Sequence, residues 1–199
     1  MTLKLKNMMI SSLASITGLS IFGMTGLIPP PVEAPPEIKE EKIVEVNKEW
    51  QCPTCNENEK KTLKFLQARG IVDKNALSVV LGNIKQESKF TPNICEGGAI
   101  VPYRGCYSGG YGLIQWTTPQ RYYGLGAFSE KYGGSPSSIE TQLRYMVNEP
   151  EWISYEPYLK QEGYSIKYYM HHAYSWLGWG IHGSRTYYAY NYLEKLIWS

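Results

Sequence analysis

The feature that most constrains this chain is a stretch over residues 75–88 whose apolar side chains follow the period of an α-helix. Five of them recur on one helical face and form a single stripe: Ala76, Leu77, Val80, Leu81 and Ile84. Glu87 follows Ile84 by three residues, which at roughly 100° per residue places its carboxylate on the flank of that stripe. Because burial disfavours an ionised carboxylate, the pKa of Glu87 should rise, and a carboxyl group that keeps its proton near neutral pH suits general acid catalysis. The alternative is a frayed helix end whose Glu reaches water.

Length and composition bound the possible functions. The chain has 199 residues, 43% of them hydrophobic, which is enough for one core with appendages. The net charge of +2 is too small for a nucleic-acid footprint, so no nucleic-acid partner is predicted. There are 17 Tyr and 6 Trp against 4 Phe, and rings with a polar group suit a wet cleft for sugar-like ligands as well as packing between helices. Asp73 is the only aspartate, so any second catalytic carboxylate must come from a glutamate.

The N-terminal part of the chain has the character of an export or anchoring segment. Lys4 and Lys6 precede an uncharged stretch over residues 8–28, which predicts that residues 1–28 are a signal peptide or a membrane anchor. Residues 29–49 combine a proline-rich run with alternating Lys and Glu, which is typical of an extended linker. The globular domain is therefore predicted to cover residues 50–199.

Four cysteines lie in or next to the first half of that domain: Cys52, Cys55, Cys95 and Cys106. One pair has the Cys-x2-Cys spacing of a zinc ribbon, but the other pair is much more widely spaced and has no accompanying His. Two disulfides fit an exported chain better, and neither a metal nor another cofactor is predicted. We expect the bridges to tie the Cys52/Cys55 segment to the loop bounded by Cys95 and Cys106, although spacing does not determine connectivity.

The remaining pattern is mostly helical. Besides residues 75–88, which Asp73 is expected to cap, helices are predicted over residues 56–69, 120–132, 138–147, 165–177 and 185–197, with a short element over residues 156–163. Pro150 is expected to lie beyond the end of the 138–147 helix. Residues 93–111 are punctuated by glycines between short runs rich in Ile, Val and Tyr, which indicates an antiparallel hairpin or three-stranded flap. The predicted fold class is α+β: a mostly helical domain with a small antiparallel β flap.

Two motifs together carry a family resemblance. Residues 81–92 read Leu-Gly-Asn-Ile-Lys-Gln-Glu-Ser-Lys-Phe-Thr-Pro, and residues 110–116 read Gly-Tyr-Gly-Leu-Ile-Gln-Trp, followed by Arg121. The combination resembles the phage tail lysozyme family, within the lysozyme-like superfamily that includes lytic transglycosylases and goose-type lysozymes. In these families a Glu-Ser pair ends a core helix, and a Gly-x-Gly-Leu-x-Gln segment returns beside it. The resemblance covers residues 57–193 and implies a lysozyme-like domain.

The resemblance implies cleavage of the β-1,4 bond between N-acetylmuramic acid and N-acetylglucosamine in peptidoglycan glycan strands. Glu87 would protonate the glycosidic oxygen, and the residues implied to line the cleft are Ser88, Tyr111, Gln115 and Trp116. Glycosidases normally use two carboxylates, and Glu96 on the flap is the candidate partner. The chain departs from the family in the loop over residues 176–184, which carries no acidic residue. The implied location is export or anchoring toward the cell wall, with membrane contact through residues 8–28, or association with a virion.

Several alternatives stay open. A lytic transglycosylase would cleave the same bond with one acid/base, and a wall-binding or structural virion component would keep the fold without the chemistry. His171, His172 and His182 lack the His-Glu-x-x-His spacing of zinc peptidases, and paired cysteines would not serve a cysteine peptidase. Four aromatic residues are candidates for stacking on sugar rings, although core packing is expected for at least half of them: Tyr111, Trp116, Trp176 and Trp179.

Overall fold

Seven α-helices make up most of the part of the chain that the structure, a computed structural model, describes: residues 48–107 and 109–199. The helices are Glu57–Ala68 (α1), Lys74–Ser88 (α2), Pro119–Tyr132 (α3), Ile139–Met146 (α4), Pro150–Leu159 (α5), Ile166–Leu177 (α6) and Arg185–Lys195 (α7). The predicted signal peptide or anchor, residues 1–28, and nearly all of the predicted linker, residues 29–49, lie outside the described residues. Within the described ranges no helix is long and apolar enough to cross a bilayer.

Local capping explains where the first two helices begin. Asn56 accepts a hydrogen bond from the Glu59 backbone N–H, and the Glu59 carboxylate accepts one from the Asn56 N–H, which together form a capping box. Asp73 accepts from the Ala76 N–H at 2.9 Å and caps α2 as predicted. Gly70, with φ of +83°, supplies the left-handed turn that follows α1.

The predicted central helix is α2. All five residues of its apolar stripe are fully buried, and the remaining faces are covered as well, since Ser78, Val79, Gly82 and Asn83 are also buried. The helix packs most extensively against α7. At their crossing a Cβ added to Gly82 would lie 2.6 Å from the Ala189 backbone nitrogen, so only glycine permits this approach.

The β structure is smaller than predicted and lies elsewhere. A two-stranded antiparallel sheet pairs Trp50–Gln51 (β1) with Ile197–Trp198 (β2), and thus joins the two ends of the domain. The glycine-rich segment contains two short 3-10 turns, Glu96–Gly98 and Tyr103–Gly105, and antiparallel contacts restricted to single residue pairs such as Ile94 with Ile100. Turns at glycines with positive φ interrupt the extended runs before a ladder can form.

The cysteines form two disulfides, but each bridge is local. Cys52 pairs with Cys55, and Cys95 pairs with Cys106. The expected link between the two segments is therefore absent from the described residues. The first bridge closes the turn before α1, and the second closes the glycine-rich segment on itself.

One helix begins earlier than predicted. α5 starts at Pro150, whereas the sequence pattern indicated an element over residues 156–163. The sequence pattern predicts that Pro150 lies beyond the end of α4, yet proline is also favoured in the first turn of a helix, where its missing N–H costs nothing. Glu149 precedes it as the N-cap residue, and this placement brings the Glu149 carboxylate into the core.

Candidate active site

Glu87 lies in the last turn of α2, beside the first residue of α7. Its side chain is 16% exposed and forms an ion pair with Arg185, whose side chain is 5% exposed. The Arg185 Nη2 donates to Glu87 Oε1, whereas Glu87 Oε2 has no hydrogen-bond partner among the described residues. The crossing of α2 and α7 at Gly82 and Ala189 creates this contact, because each partner lies about one helical turn from the crossing point.

Opposing influences act on the Glu87 carboxyl group. Burial raises its pKa, and the positive charges of Arg185 and Arg121, together with the Arg185 hydrogen bond, offset only part of that effect. The pKa of Glu87 therefore stays above its ordinary value of 4.5. The structure supports the predicted sheltering of this side chain.

Arg185 is itself held by several contacts. Its Nη1 donates to the backbone oxygens of Ile181 and His182, at 2.9 and 2.7 Å. Its guanidinium lies over the Trp179 ring, 4.8 Å from the ring centroid, which is a cation–π contact. The loop before Arg185 is tied to α2 because Gln86 Oε1 accepts from the Ser184 N–H at 2.8 Å.

A second buried ion pair lies near Glu87. Arg121 donates to both oxygens of Glu149, at 2.7 and 2.9 Å, in the two-pronged geometry that makes such pairs strong. The same carboxylate accepts from the indole N–H of Trp116 at 2.8 Å. This arrangement fixes Arg121 at the start of α3, from where its charge acts on Glu87.

Three of the residues expected to line the cleft are buried in the protein. Ser88 donates to the Leu113 carbonyl at 2.8 Å, and Tyr111 donates to the Ser137 hydroxyl at 2.7 Å. Trp116 is fully buried against Glu149, and Tyr111 is also fully buried. These side chains hold the glycine-rich segment against the helices, and their substrate-binding role stays a prediction.

Gln115 and Glu96 also form hydrogen bonds within the glycine-rich part of the chain. Gln115 has a left-handed backbone, with φ of +52°, and its side-chain amide donates to the Gly112 carbonyl at 3.0 Å. The exposed Glu96 accepts from the Gly110 N–H at 3.0 Å. The substrate-binding role of Gln115 and the role of Glu96 as second carboxylate stay predictions.

Two cavities are lined by neighbours of these residues. One, of about 650 Å³, lies between the Tyr103–Gly105 turn and α3, with Tyr107, Tyr122 and Tyr123 in its walls. The other, of about 560 Å³, lies between α6 and α7, and we call it the Trp179 cavity; its walls include Lys167, Tyr174, Trp179, His182, Thr186 and Tyr190. Glu87 does not line either cavity. Arg185 contacts both Glu87 and Trp179, and Trp179 lines the Trp179 cavity. Arg121 directly precedes Tyr122 on α3, and Tyr122 lines the other cavity.

Comparison with known proteins gives the family. A sequence profile described as phage tail lysozyme matches residues 57–177, which is more than half of the chain. The chain belongs to the phage tail lysozyme family. Membership of this family indicates a lysozyme-like function on peptidoglycan. It also indicates that the protein is associated with a virion or acts at the cell wall. No curated protein and no solved structure matches the chain.

The phage tail lysozyme match includes Glu87 and Arg121 but ends before Arg185. Sequence reasoning had Arg121 within the family motif but missed Arg185 and Glu149 as parts of the site. Glu149 precedes a proline that starts a helix, which is a signal that could have marked it as an N-cap residue. Nothing local marks Arg185, because its partner lies 98 residues away in the chain.

Proposed function

We propose that this phage tail lysozyme domain cleaves the β-1,4 bond between N-acetylmuramic acid and N-acetylglucosamine, with Glu87 as the general acid. The observation that carries the proposal is the sheltered Glu87 carboxyl group with a raised pKa and with one oxygen, Oε2, free of protein partners within the described residues. Such an oxygen can hold a proton and present it to a leaving group.

The two arginines contribute to this chemistry in a defined way. Cleavage passes through an oxocarbenium-like state, and protonating the glycosidic oxygen lowers its barrier. As the proton leaves Glu87, negative charge develops on a carboxylate removed from water. Arg185, bonded to Oε1, and the nearby Arg121 stabilise that charge without having to move.

A lytic transglycosylase is the second candidate, and one observation favours it. Within the described part of the chain, the charged groups that act on the pKa of Glu87 are Arg185 and Arg121, and no second carboxylate is among them. Glu149 is bonded to Arg121, and Glu96 to the Gly110 N–H. If the substrate's own hydroxyl attacks in place of water, one acid/base suffices.

The primary test is Glu87→Gln, which keeps the size of the side chain but cannot donate the proton. We expect its rate of cell-wall lysis, followed as loss of turbidity, to fall about 100-fold or more. Glu57→Gln is the matched control, because the Glu57 side chain is 81% exposed on α1, and it should lyse walls at the wild-type rate. Retention of more than about a tenth of the wild-type rate by Glu87→Gln would identify another group as the acid.

Mass spectrometry of digested peptidoglycan decides between the candidates. Reducing sugar ends indicate hydrolysis, whereas 1,6-anhydro ends indicate transglycosylation. Cleaved peptides would refute both, and an intact polymer with bound protein would support a non-catalytic wall-binding role.

A further inference from the structure

The Trp179 cavity has the composition of a site for an anionic sugar. Its volume of about 560 Å³ falls within the usual range for small-ligand sites. Trp179, Tyr174 and Tyr190 give it aromatic walls, and the residues Tyr174 and Tyr190 remain 57% and 50% exposed. Rings that combine an apolar face with a polar group are suited to the faces and hydroxyls of a sugar.

The formal charge that lines the cavity is positive. Lys167 lies in its wall and forms no ion pair within residues 48–107 and 109–199, and none of the described residues that line the cavity is Asp or Glu. His182 and Thr186 add hydrogen-bonding groups. An ammonium group without a protein partner, beside aromatic walls, favours a ligand that carries a carboxylate.

The cavity also shares a wall with the Glu87 site. Trp179 lines the cavity with one part of its surface and packs against the Arg185 guanidinium, which in turn bonds to Glu87. Arg185 also donates to the backbone oxygen of His182, another residue of the cavity. Two side chains, Trp179 and Arg185, therefore connect a glycan bound in the cavity to the proposed acid.

We propose that the Trp179 cavity is a binding subsite for a carboxylate-bearing amino sugar of the glycan strand, with the ring against Trp179 and Tyr190 and the carboxylate at Lys167. This inference rests on the proposed function for its substrate. The carboxylate has two sources in peptidoglycan: the lactyl group of N-acetylmuramic acid without a peptide, or the stem peptide that is otherwise attached there. Part of the cavity, including Trp179, His182 and Tyr190, lies beyond the segment matched to the family.

The test measures binding to the Glu87→Gln protein by calorimetric titration, so that turnover does not interfere. Three probes are compared: the neutral N-acetylglucosamine tetrasaccharide, the alternating N-acetylglucosamine–N-acetylmuramic acid tetrasaccharide with free lactyl carboxylates, and the same tetrasaccharide carrying stem peptides. We expect the two acidic probes to bind about threefold more tightly than the neutral one, and 0.5 M salt to remove that preference. The order of the two acidic probes identifies the source of the carboxylate.

Further substitutions in the Glu87→Gln protein test whether the probes bind in the Trp179 cavity. Lys167→Gln should abolish the preference for acidic probes and leave the affinity for the neutral probe unchanged. Tyr190→Ala should weaken all three probes about fivefold. Tyr187→Ala is the matched control, since Tyr187 is 65% exposed on the same helix but does not line the cavity, and it should bind like the parent protein.

The inference is overturned if acidic and neutral probes bind equally, or if Tyr190→Ala and Tyr187→Ala behave alike. Its failure is distinct from failure of the proposed function. Loss of lysis in Glu87→Gln with no effect of Lys167→Gln on binding rejects only the subsite. If the binding pattern is as expected but Glu87→Gln still lyses walls, only the assignment of Glu87 as the general acid is rejected.

Discussion

At the scale of single residues, the balance between burial and positive charge on Glu87 predicts the pH dependence of lysis. Glu87 must be protonated to act, so activity should fall as the pH rises through its pKa, which lies above 4.5. Arg185 lowers that pKa. Arg185→Gln should therefore move the alkaline limb of the pH–rate profile to higher pH, besides reducing the maximal rate.

The measurement is the lysis rate as a function of pH for the wild type and Arg185→Gln, with circular dichroism to verify folding. Arg104→Gln is the control, because the Arg104 side chain is 89% exposed, and its profile should match the wild type. An alkaline limb that stays in place or moves to lower pH in Arg185→Gln would show that Glu87 is not the titrating acid.

Glu59 governs a different property, stability in acid. Burial raises its pKa, but hydrogen bonds from Tyr192, Lys85 and the Asn56 N–H more than offset this, so its pKa lies below 4.5. The stabilisation from this carboxylate is therefore fully present above pH 4.5 and is lost as the pH falls through the lowered pKa of the folded state. It connects α1, α2 and α7, since Lys85 and Tyr192 belong to the latter two helices.

We expect Glu59→Gln to lower the free energy of unfolding at pH 7 by about 3 kcal/mol, because it leaves the partly buried Lys85 without its counter-charge. The difference from the wild type should shrink as the pH falls from 4.5 through the lowered pKa of Glu59 in the folded state, because the wild-type carboxylate also becomes protonated there. Urea unfolding at several pH values measures both effects. A difference that is constant with pH would mean that the charge of Glu59 does not contribute.

At the scale of helices, the crossing of α2 and α7 brings the site together. Gly82→Ala would place a Cβ 2.6 Å from the backbone nitrogen of Ala189, and a backbone cannot move aside as a flexible side chain can. We expect a loss of about 2 kcal/mol from overpacking, more than the ~1 kcal/mol gained in helix propensity. Because the helices must separate, the contact between Glu87 and Arg185 should weaken and lysis should slow.

Gly180→Ala is the control for this substitution, since a Cβ at Gly180 meets nothing within 4 Å. Its free energy of unfolding should stay within about 0.5 kcal/mol of the wild type. Thermal unfolding and wall lysis, measured on both variants, check the prediction. If Gly82→Ala is as stable and as active as Gly180→Ala, the close crossing does not position the site.

At the scale of the whole molecule, interactions among the described residues join the two ends of the predicted domain. All seven helices and both disulfides lie within residues 48–199. The β1–β2 pair closes the ends: backbone bonds of 2.9 and 3.2 Å join Glu49 to Ser199, and the Trp50 and Trp198 rings contact each other edge to face.

We therefore expect a protein of residues 48–199 to fold and to lyse isolated walls in solution, which also tests the predicted domain boundary. Its melting temperature should equal that of the full chain. Deleting residues 197–199 instead should lower the free energy of unfolding by about 1–2 kcal/mol, because β1 loses its partner. An aggregated or unfolded 48–199 protein would show that earlier residues belong to the fold.

Helix positions were largely predictable because their signals are local. Caps at Asp73 and Ser165 and the stripe on α2 appear in the sequence at the spacings that a helix requires. α5 was misplaced because a proline can follow one helix or begin the next, and the neighbouring residues do not distinguish the two. Core packing was expected for at least half of the four aromatic stacking candidates, and it is found for Tyr111, Trp116 and Trp176, whereas Trp179 lies at a cavity.

The sequence by itself determined the family, the helical class, and a carboxylate on the flank of a buried helix, since each depends on residues close together in the chain. Only the tertiary structure decided which groups surround that carboxylate. Arg185 reaches Glu87 across a separation of 98 residues, and the disulfides pair locally although other pairings were equally compatible with the spacing. The physical reason is that contacts between distant residues depend on how closely the helices approach. Gly82 on α2 allows the close approach of α7 at Ala189, and the residues next to Gly82 in the sequence do not indicate that partner.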